Sequence, residues 1–264
     1  MAEEKEIAVI YEKKDHIAIV TLNRRRDLNA MDGEMMERLS DAWIDIRDDR
    51  NIWVAIVTGA GKTAFSVGGD LKTFLPMIIE GDLRDMQSDT RPLNAVLRGF
   101  DVWKPIIAAV NGYCFGGGLE MLLGTDIRVA SENAVFAVME PTWALFPGGG
   151  TTVRLPRQLP FCRAMEMLLT ANQFTAQEAY EIGLINKVVP LEELMPSAMA
   201  YAEKIVSNGP LAVQAIKESV LRGLGLDPAY SIERLMSMLI FDTEDAKEGP
   251  KAFLEKRKAV WKGR

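Results

Sequence analysis

The run Lys104-Pro105-Ile106-Ile107-Ala108-Ala109-Val110-Asn111-Gly112-Tyr113-Cys114-Phe115-Gly116-Gly117-Gly118-Leu119-Glu120 decides how this chain is read. Ile106 to Val110 is unbroken and apolar over a strand's length, as a strand buried on both faces requires. Asn111-Gly112 then signals a turn. The triple glycine leads into Leu119 to Leu123, a helix start with Glu120 inside it. A second segment of the same kind is Ser66-Val67-Gly68-Gly69-Asp70-Leu71-Lys72. Glycine lets a backbone approach a ligand closely and adopt positive φ. A helix start exposes unpaired N–H groups and a partial positive charge. Two such segments meeting aim two N–H donors at one point, which is an oxyanion hole.

Outward from these segments the chain alternates strand and helix. Ile7 to Tyr11 and His16 to Leu22 read as a hairpin, with Glu12-Lys13-Lys14-Asp15 as its turn. Asp32 caps an amphipathic helix to about Asp48, because Met35, Met36, Leu39, Trp43 and Ile46 recur at helical spacing. Ile52 to Val57 is another buried strand. Pro76 and Gly81 break the helical stretch Leu71 to Arg98. Short strands follow at Ile127 to Ala130 and Val135 to Val138. Past Pro190 only helices are predicted, over Leu191 to Ser207, Leu211 to Leu224, Pro228 to Phe241 and Thr243 to Trp261. The expected architecture is an α/β core over residues 1–189 and a helical carboxy-terminal region over 190–264.

Composition removes several function classes. The net charge of −6, with basic residues scattered, argues against nucleic acid, whose grip needs concentrated Lys and Arg. Two cysteines, Cys114 and Cys162, make neither a disulfide framework nor a thiolate metal site. The polar Met1 to Glu6 lacks a signal peptide's apolar stretch, and no apolar run has a membrane span's length. The expectation is a cytoplasmic protein off the membrane. The single histidine, His16, excludes a multi-histidine metal site, so catalysis falls to carboxylates, lysines, tyrosines or backbone dipoles. Thr58-Gly59-Ala60-Gly61-Lys62-Thr63 imitates the end of a phosphate-binding loop. The further glycine such a loop needs would fall at Ile56, inside the strand, so this is a glycine turn.

Ser66 to Lys72, Lys104 to Glu120 and Pro147-Gly148-Gly149-Gly150 to Leu155 resemble the enoyl-CoA hydratase/isomerase (crotonase) superfamily. So do Leu22-Asn23-Arg24 with Leu28-Asn29-Ala30, and Glu244-Asp245-Ala246-Lys247-Glu248-Gly249 to Lys258. The resemblance implies a core of repeated ββα units, a helical oligomerisation region and assembly as a homotrimer or homohexamer. It implies that the N–H groups of Gly69 and Gly117 hold a thioester carbonyl oxygen, and that Glu120 and Glu140 are the acid/base carboxylates of an enoyl-CoA hydratase. Glu120 would activate water and Glu140 protonate Cα. Lys72 and Arg26 stand where relatives contact coenzyme A. Phe253 and Lys256, at i and i+3 on one helix face, match positions that reach the adenine of a neighbouring subunit's ligand. No metal, flavin or nicotinamide is implied; coenzyme A enters as part of the substrate.

Each of these residues also has a plainer reading. Glu140 caps a turn before Pro141, Glu120 is a surface helix residue, and Lys72, Arg26 and Lys256 are solvated cations. Apolar neighbours, Leu119-Met121-Leu122-Leu123 and Phe136-Val138-Met139, argue instead for enclosed carboxylates. The stretch Met139-Glu140-Pro141-Thr142-Trp143-Ala144-Leu145-Phe146 departs from the usual hydratase pattern, in which a proline precedes the glutamate and a glycine stands at Ala144. Trp143 is either core or part of an acyl pocket. Rival readings are an isomerase, hydrolase or carbon–carbon lyase using the same oxyanion hole, and a non-catalytic coenzyme A-binding protein. Isomerases typically keep only the glutamate at Glu140's position, so Glu120 favours water chemistry.

Overall fold

The computed structural model describes residues 7–73 and 89–262. Pro76 and Gly81 lie outside the described residues. Among the described residues ten strands form two sheets. The larger has the order β1-β2-β3-β5-β7-β10 and the smaller β4-β6-β8-β9. Strands β3 (Val54–Gly59), β5 (Ile106–Val110) and β7 (Ile127–Ser131) lie parallel in the large sheet. Their successors β4 (Ala64–Ser66), β6 (Tyr113–Phe115) and β8 (Val135–Ala137) lie parallel in the small one. Each consecutive pair therefore contributes one strand to each sheet before the chain moves on, which is the expected repeated ββα arrangement. Strands β9 (Phe174–Thr175) and β10 (Lys187–Val189) complete the two sheets. The four short strands β4, β6, β9 and β10 escape a periodicity reading, being only two or three residues long.

Strands β3 and β5 are buried on both faces because helices cover both. Alternate residues divide between two cores. Ala55, Val57, Ala108 and Val110 face Leu39 and Trp43 of α1 (Gly33–Asp48). Val54, Ile56, Ile107 and Ala109 face Leu194, Ala198 and Ala202 of α7 (Leu194–Val206). Helix α1 starts where predicted, with the Asp32 side chain accepting from the Met35 N–H at 2.9 Å. Trp43 is fully buried and its indole N–H donates to the Ala95 carbonyl at 3.1 Å. Trp43→Ala removes a large core side chain and strands that carbonyl, so a loss of about 3–5 kcal/mol is expected in denaturant unfolding. A loss under about 1 kcal/mol, the level of a tolerated swap, would contradict the packing described.

The first hairpin is tighter than its sequence suggests. β1 (Val9–Lys14) and β2 (Ile17–Leu22) pair from Val9–Leu22 to Lys14–Ile17, which leaves Asp15 and His16 as the turn. Both have positive φ, +50° and +68°, the twist that suits a two-residue hairpin. Of the charged residues expected to form the turn, Glu12, Lys13 and Lys14 instead extend an edge strand and are exposed, and Lys13 pairs with Asp45 and Asp49 at 2.5 and 2.8 Å. His16 stacks on Trp53, ring centroids 3.8 Å apart.

Between the sheets and the carboxy terminus run α2 (Arg91–Ala95), α3 (Gly117–Leu123), α4 (Thr151–Gln158), α5 (Phe161–Thr170) and α6 (Ala176–Glu181). After α7 come α8 (Pro210–Gly223), α9 (Leu226–Phe241) and α10 (Glu244–Leu254). Helix α10 stops seven residues before the predicted Trp261. Lys256 adopts φ +51°, its N–H bonds the Phe253 carbonyl and the Arg257 N–H bonds the Ala252 carbonyl, a Schellman closure made without glycine. Lys256 consequently leaves the helix and does not share a helical face with Phe253. Among the described residues no helix is long and apolar enough to cross a membrane.

Candidate active site

The two glycine segments meet because β4 and β6 are parallel neighbours. A Cβ on Gly68 would stand 2.8 Å from the Gly117 nitrogen, and one on Gly117 would stand 3.6 Å from the Gly69 nitrogen. Gly68 and Gly116 have φ of +92° and +51°, so these turns require glycine. Met31 clamps the first segment from one side: its N–H donates to the Gly68 carbonyl at 2.8 Å, and its carbonyl accepts from the Asp70 N–H at 2.9 Å. Backbone groups of successive extended residues point to opposite sides, so the Gly69 N–H is turned the other way. Gly117 is the first residue of α3, where an N–H has no partner within the helix. The two predicted donors thus emerge side by side.

Supporting polar groups are buried beneath them. The Ser66 hydroxyl, with no exposed surface, donates to the Asn29 carbonyl at 2.8 Å and accepts from the Gly68 N–H at 3.1 Å. Arg24 ties Asp70 to the early loop, pairing with Asp27, Asp32 and Asp70 at 2.9–3.2 Å. The glycine turn after β3 is filled from within: the Asn111 side chain accepts from the Gly59 N–H at 3.1 Å and donates to the Gly61 carbonyl at 3.0 Å. That turn leads into β4 and holds no helix start for a phosphate.

Glu120 lies one turn into α3 and is buried at 8% exposure, so it is no surface helix residue. Its Oε1 accepts from the Gly149 N–H at 2.5 Å and from the Thr151 hydroxyl at 3.4 Å. Glu140 opens the 3-10 turn Glu140–Trp143 directly after β8. Its Oε1 lies 3.5 Å from where Gly116 would carry a Cβ, and its Oε2 is buried without a hydrogen-bond partner. Burial pushes both carboxyls above the usual carboxylate range. At Glu120 the Glu140 charge adds to this, while the Gly149 N–H opposes it. At Glu140 neighbouring backbone hydrogen bonds oppose the rise. A charge on one carboxyl disfavours a charge on the other, so the pair favours holding a proton between them.

The remaining predicted positions are more scattered. Lys72 follows the Gly69 loop with its side chain 82% exposed and its Nζ 3.5 Å from Asp27 Oδ1. Arg26 is exposed on the short turn Arg25–Asp27. Trp143 is half-buried and meets Phe253 of α10 edge to face, centroids 4.6 Å apart at 80°. A Cβ on Gly249 would stand 2.1 Å from the Trp143 carbonyl oxygen, so α10 seats directly on the turn that carries Glu140. Lys256 is exposed beyond that helix. Ala144, where the resemblance expects glycine, has φ +54°, a conformation that glycine adopts without strain. Sequence reasoning gave Gly149, Thr151 and Arg154 no role; their only signal was the glycine run Gly148-Gly149-Gly150.

Two backbone donors beside two buried carboxylates suit an enzyme that polarises a carbonyl and moves protons next to it. The chain belongs to the enoyl-CoA hydratase/isomerase family, the crotonase family, whose sequence profile matches residues 12–264. It is 42% identical over 250 residues to an enoyl-CoA hydratase of Mycobacterium tuberculosis, covering 94% of each chain. It is 41% identical over 260 residues to the (E)-benzylidenesuccinyl-CoA hydratase of Thauera aromatica, covering 97% of this chain and 99% of that one. The crystal structure of a carnitinyl-CoA hydratase from Mycobacterium avium superposes with a TM-score of 0.88 at 37% identity, over 98% of this chain and 99% of that one.

Proposed function

We propose that this chain reversibly hydrates a 2-enoyl-CoA thioester to a 3-hydroxyacyl-CoA, with Glu120 and Glu140 as its catalytic carboxylates. The observation that carries this reading is the pair of carboxyls, Glu120 buried and Glu140 with its Oε2 enclosed and unpartnered, beside the Gly69 and Gly117 N–H groups. The thioester oxygen sits between those donors, which draws electron density out of the conjugated double bond and makes Cβ electrophilic. The pair works in the state where Glu140 holds the proton, although the Glu140 charge favours a proton on Glu120 at rest. Ionised Glu120, oriented by Gly149 and Thr151, takes a proton from water as the water oxygen bonds to Cβ. The resulting enolate is held by the two N–H groups, each contributing about 3–4 kcal/mol. Protonated Glu140 delivers its proton to Cα. The proton gained by Glu120 then returns to the pair, and no electrons enter or leave. The reaction calls for no metal, flavin or nicotinamide.

Relatives named as hydratases of differently shaped acyl groups support water chemistry over isomerisation. Lys72 and Arg26 are assigned to the coenzyme A moiety, and Phe253 and Lys256 to the adenine of a neighbouring subunit's ligand. Trp143 is assigned to the acyl-group boundary. The exposed Leu211, Ile216 and Val220 of α8 and Ile232, Leu235 and Leu239 of α9 support a homotrimer, singly or paired as a hexamer. The protein works in the cytoplasm.

Purified protein mixed with crotonyl-CoA should consume the conjugated enoyl-thioester absorbance and yield 3-hydroxybutyryl-CoA. No consumption discards the short-chain substrate and moves the test to longer, branched and aromatic enoyl-CoAs. Failure to bind or turn over any acyl-CoA ends the hydratase reading.

A further inference from the structure

Glu120 is held by more than its two side-chain partners. Its own backbone carbonyl accepts from Arg154 Nη1 at 3.1 Å. The same guanidinium bonds the Val96 and Leu97 carbonyls and donates from Nε to the Tyr230 hydroxyl at 2.8 Å. The loop that presents the Gly149 N–H is pinned one residue earlier, where Arg98 Nη1 donates to the Gly148 carbonyl at 2.5 Å. Arg98 also meets the Tyr230 carbonyl at 3.2 Å and the Glu233 carboxylate at 3.1 Å. Glu233 accepts in addition from the Thr152 hydroxyl. The Arg98 and Glu233 side chains are 8% and 1% exposed. Both guanidinium groups lie within 6 Å of the Tyr230 ring centroid, at 5.2 and 5.8 Å.

Tyr230 and Glu233 are one helical turn apart on α9, and they present one face to both arginines. A pair that served only to attach α9 would be satisfied by bonding α4 side chains. Here each arginine continues to a carbonyl of the Glu120 frame, one at Glu120 itself and one beside the N–H that holds its carboxylate. We propose that Tyr230 and Glu233 are positioning residues for Glu120, acting through Arg154 and Arg98 on the backbone that fixes its carboxyl group. The proposal rests on the reading of Glu120 as a catalytic carboxylate. It also makes α9 of the carboxy-terminal region part of the site's geometry.

The charged groups facing Glu120 are Glu140 from the 3-10 turn, Arg98 after α2, Arg154 on α4 and Glu233 on α9. Glu233 raises the proton affinity of Glu120 and Arg98 lowers it. Glu233→Gln removes the first influence and leaves the second unpaired, so Glu120 should ionise at lower pH. Tyr230→Phe removes one hydrogen bond without altering charge.

The test is an infrared titration of the protonated carboxyl band, assigned by its loss in Glu120→Gln, alongside turnover of crotonyl-CoA or whichever enoyl-CoA the wild type accepts. Glu233→Gln should move the midpoint down by about half a pH unit or more and lower kcat about 10- to 100-fold, with KM changed less than about threefold. Glu233→Asp should restore the midpoint, and Tyr230→Phe should lower kcat with the midpoint in place. A folded Glu233→Gln with unmoved midpoint and kcat overturns the proposal. If Glu233→Gln does not fold, a folded Tyr230→Phe with wild-type kcat overturns it instead. A wild type that turns over no acyl-CoA defeats the hydratase reading, while the infrared midpoint of Glu233→Gln still decides whether Glu233 acts on Glu120.

Discussion

Glu140→Gln lowers kcat by about 10²- to 10⁴-fold, the usual worth of a positioned acid or base, while KM stays within a few-fold. The amide keeps the carboxyl's shape above Gly116 and removes only its transferable proton. The buried Oε2 of Glu140 has no protein partner, so the substitution breaks no side-chain hydrogen bond there. Stability moves the other way. Burial raises the folded-state affinity of this carboxyl for its proton, and the unfolded chain ionises it near the ordinary value. The wild type therefore keeps its full stability below that ordinary value and loses some as pH rises toward the raised one. Glu140→Gln escapes that loss, so its melting temperature at pH 8 should be equal to or above wild type. A stable variant with kcat within tenfold of wild type would remove Glu140 from the chemistry. The same directions place both limbs of the wild-type pH profile above the normal carboxylate range of about 4.3.

Gly149→Ala is expected to cost about 10²-fold in kcat by displacing Glu120. The added methyl carbon would stand 2.1 Å from Glu120 Oε2 and 2.5 Å from its Cδ, distances that force the carboxylate away. Movement also breaks the hydrogen bond from the Gly149 N–H. Gly149 is not among the glycines with positive φ, so the substitution acts by contact and not through backbone strain. Its neighbour gives the contrast. Gly150 has φ +111°, and Gly150→Ala should lose about 1–2 kcal/mol of stability through strain. Kinetics and melting curves of the two variants separate the effects; wild-type kcat in Gly149→Ala would deny Glu120 its role in turnover.

The central strands were legible because parallel strands covered on both faces must be apolar throughout, and Ile106 to Val110 reads so without ambiguity. The four late helices were legible through helical periodicity and caps such as Thr243. The stop of α10 was not, since Lys256 closes the helix in a conformation normally signalled by glycine. The hairpin turn was misplaced because an edge strand tolerates charged residues that otherwise mark a loop. In the site, both glutamates and both glycine segments stood out locally, and what brought them together was the pairing of β4 with β6. The grip on Glu120 was invisible for another reason. Arg98, Arg154 and the Tyr230–Glu233 pair belong to separate parts of the chain, and each alone reads as an ordinary polar helix residue.

On the proposed hydratase reading the two donors, the Gly69 and Gly117 N–H groups, belong to the main chain, and this shapes how the molecule tolerates genetic change. A codon change can displace a peptide N–H but, proline aside, cannot delete it. The carbonyl-polarising half of the site is therefore shielded from single substitutions that keep the fold. Heritable variation falls on Glu120, Glu140, Trp143 and the side chains around them. On that reading a lineage built on this frame can drift toward new acyl groups or new proton transfers while its paired backbone donors persist.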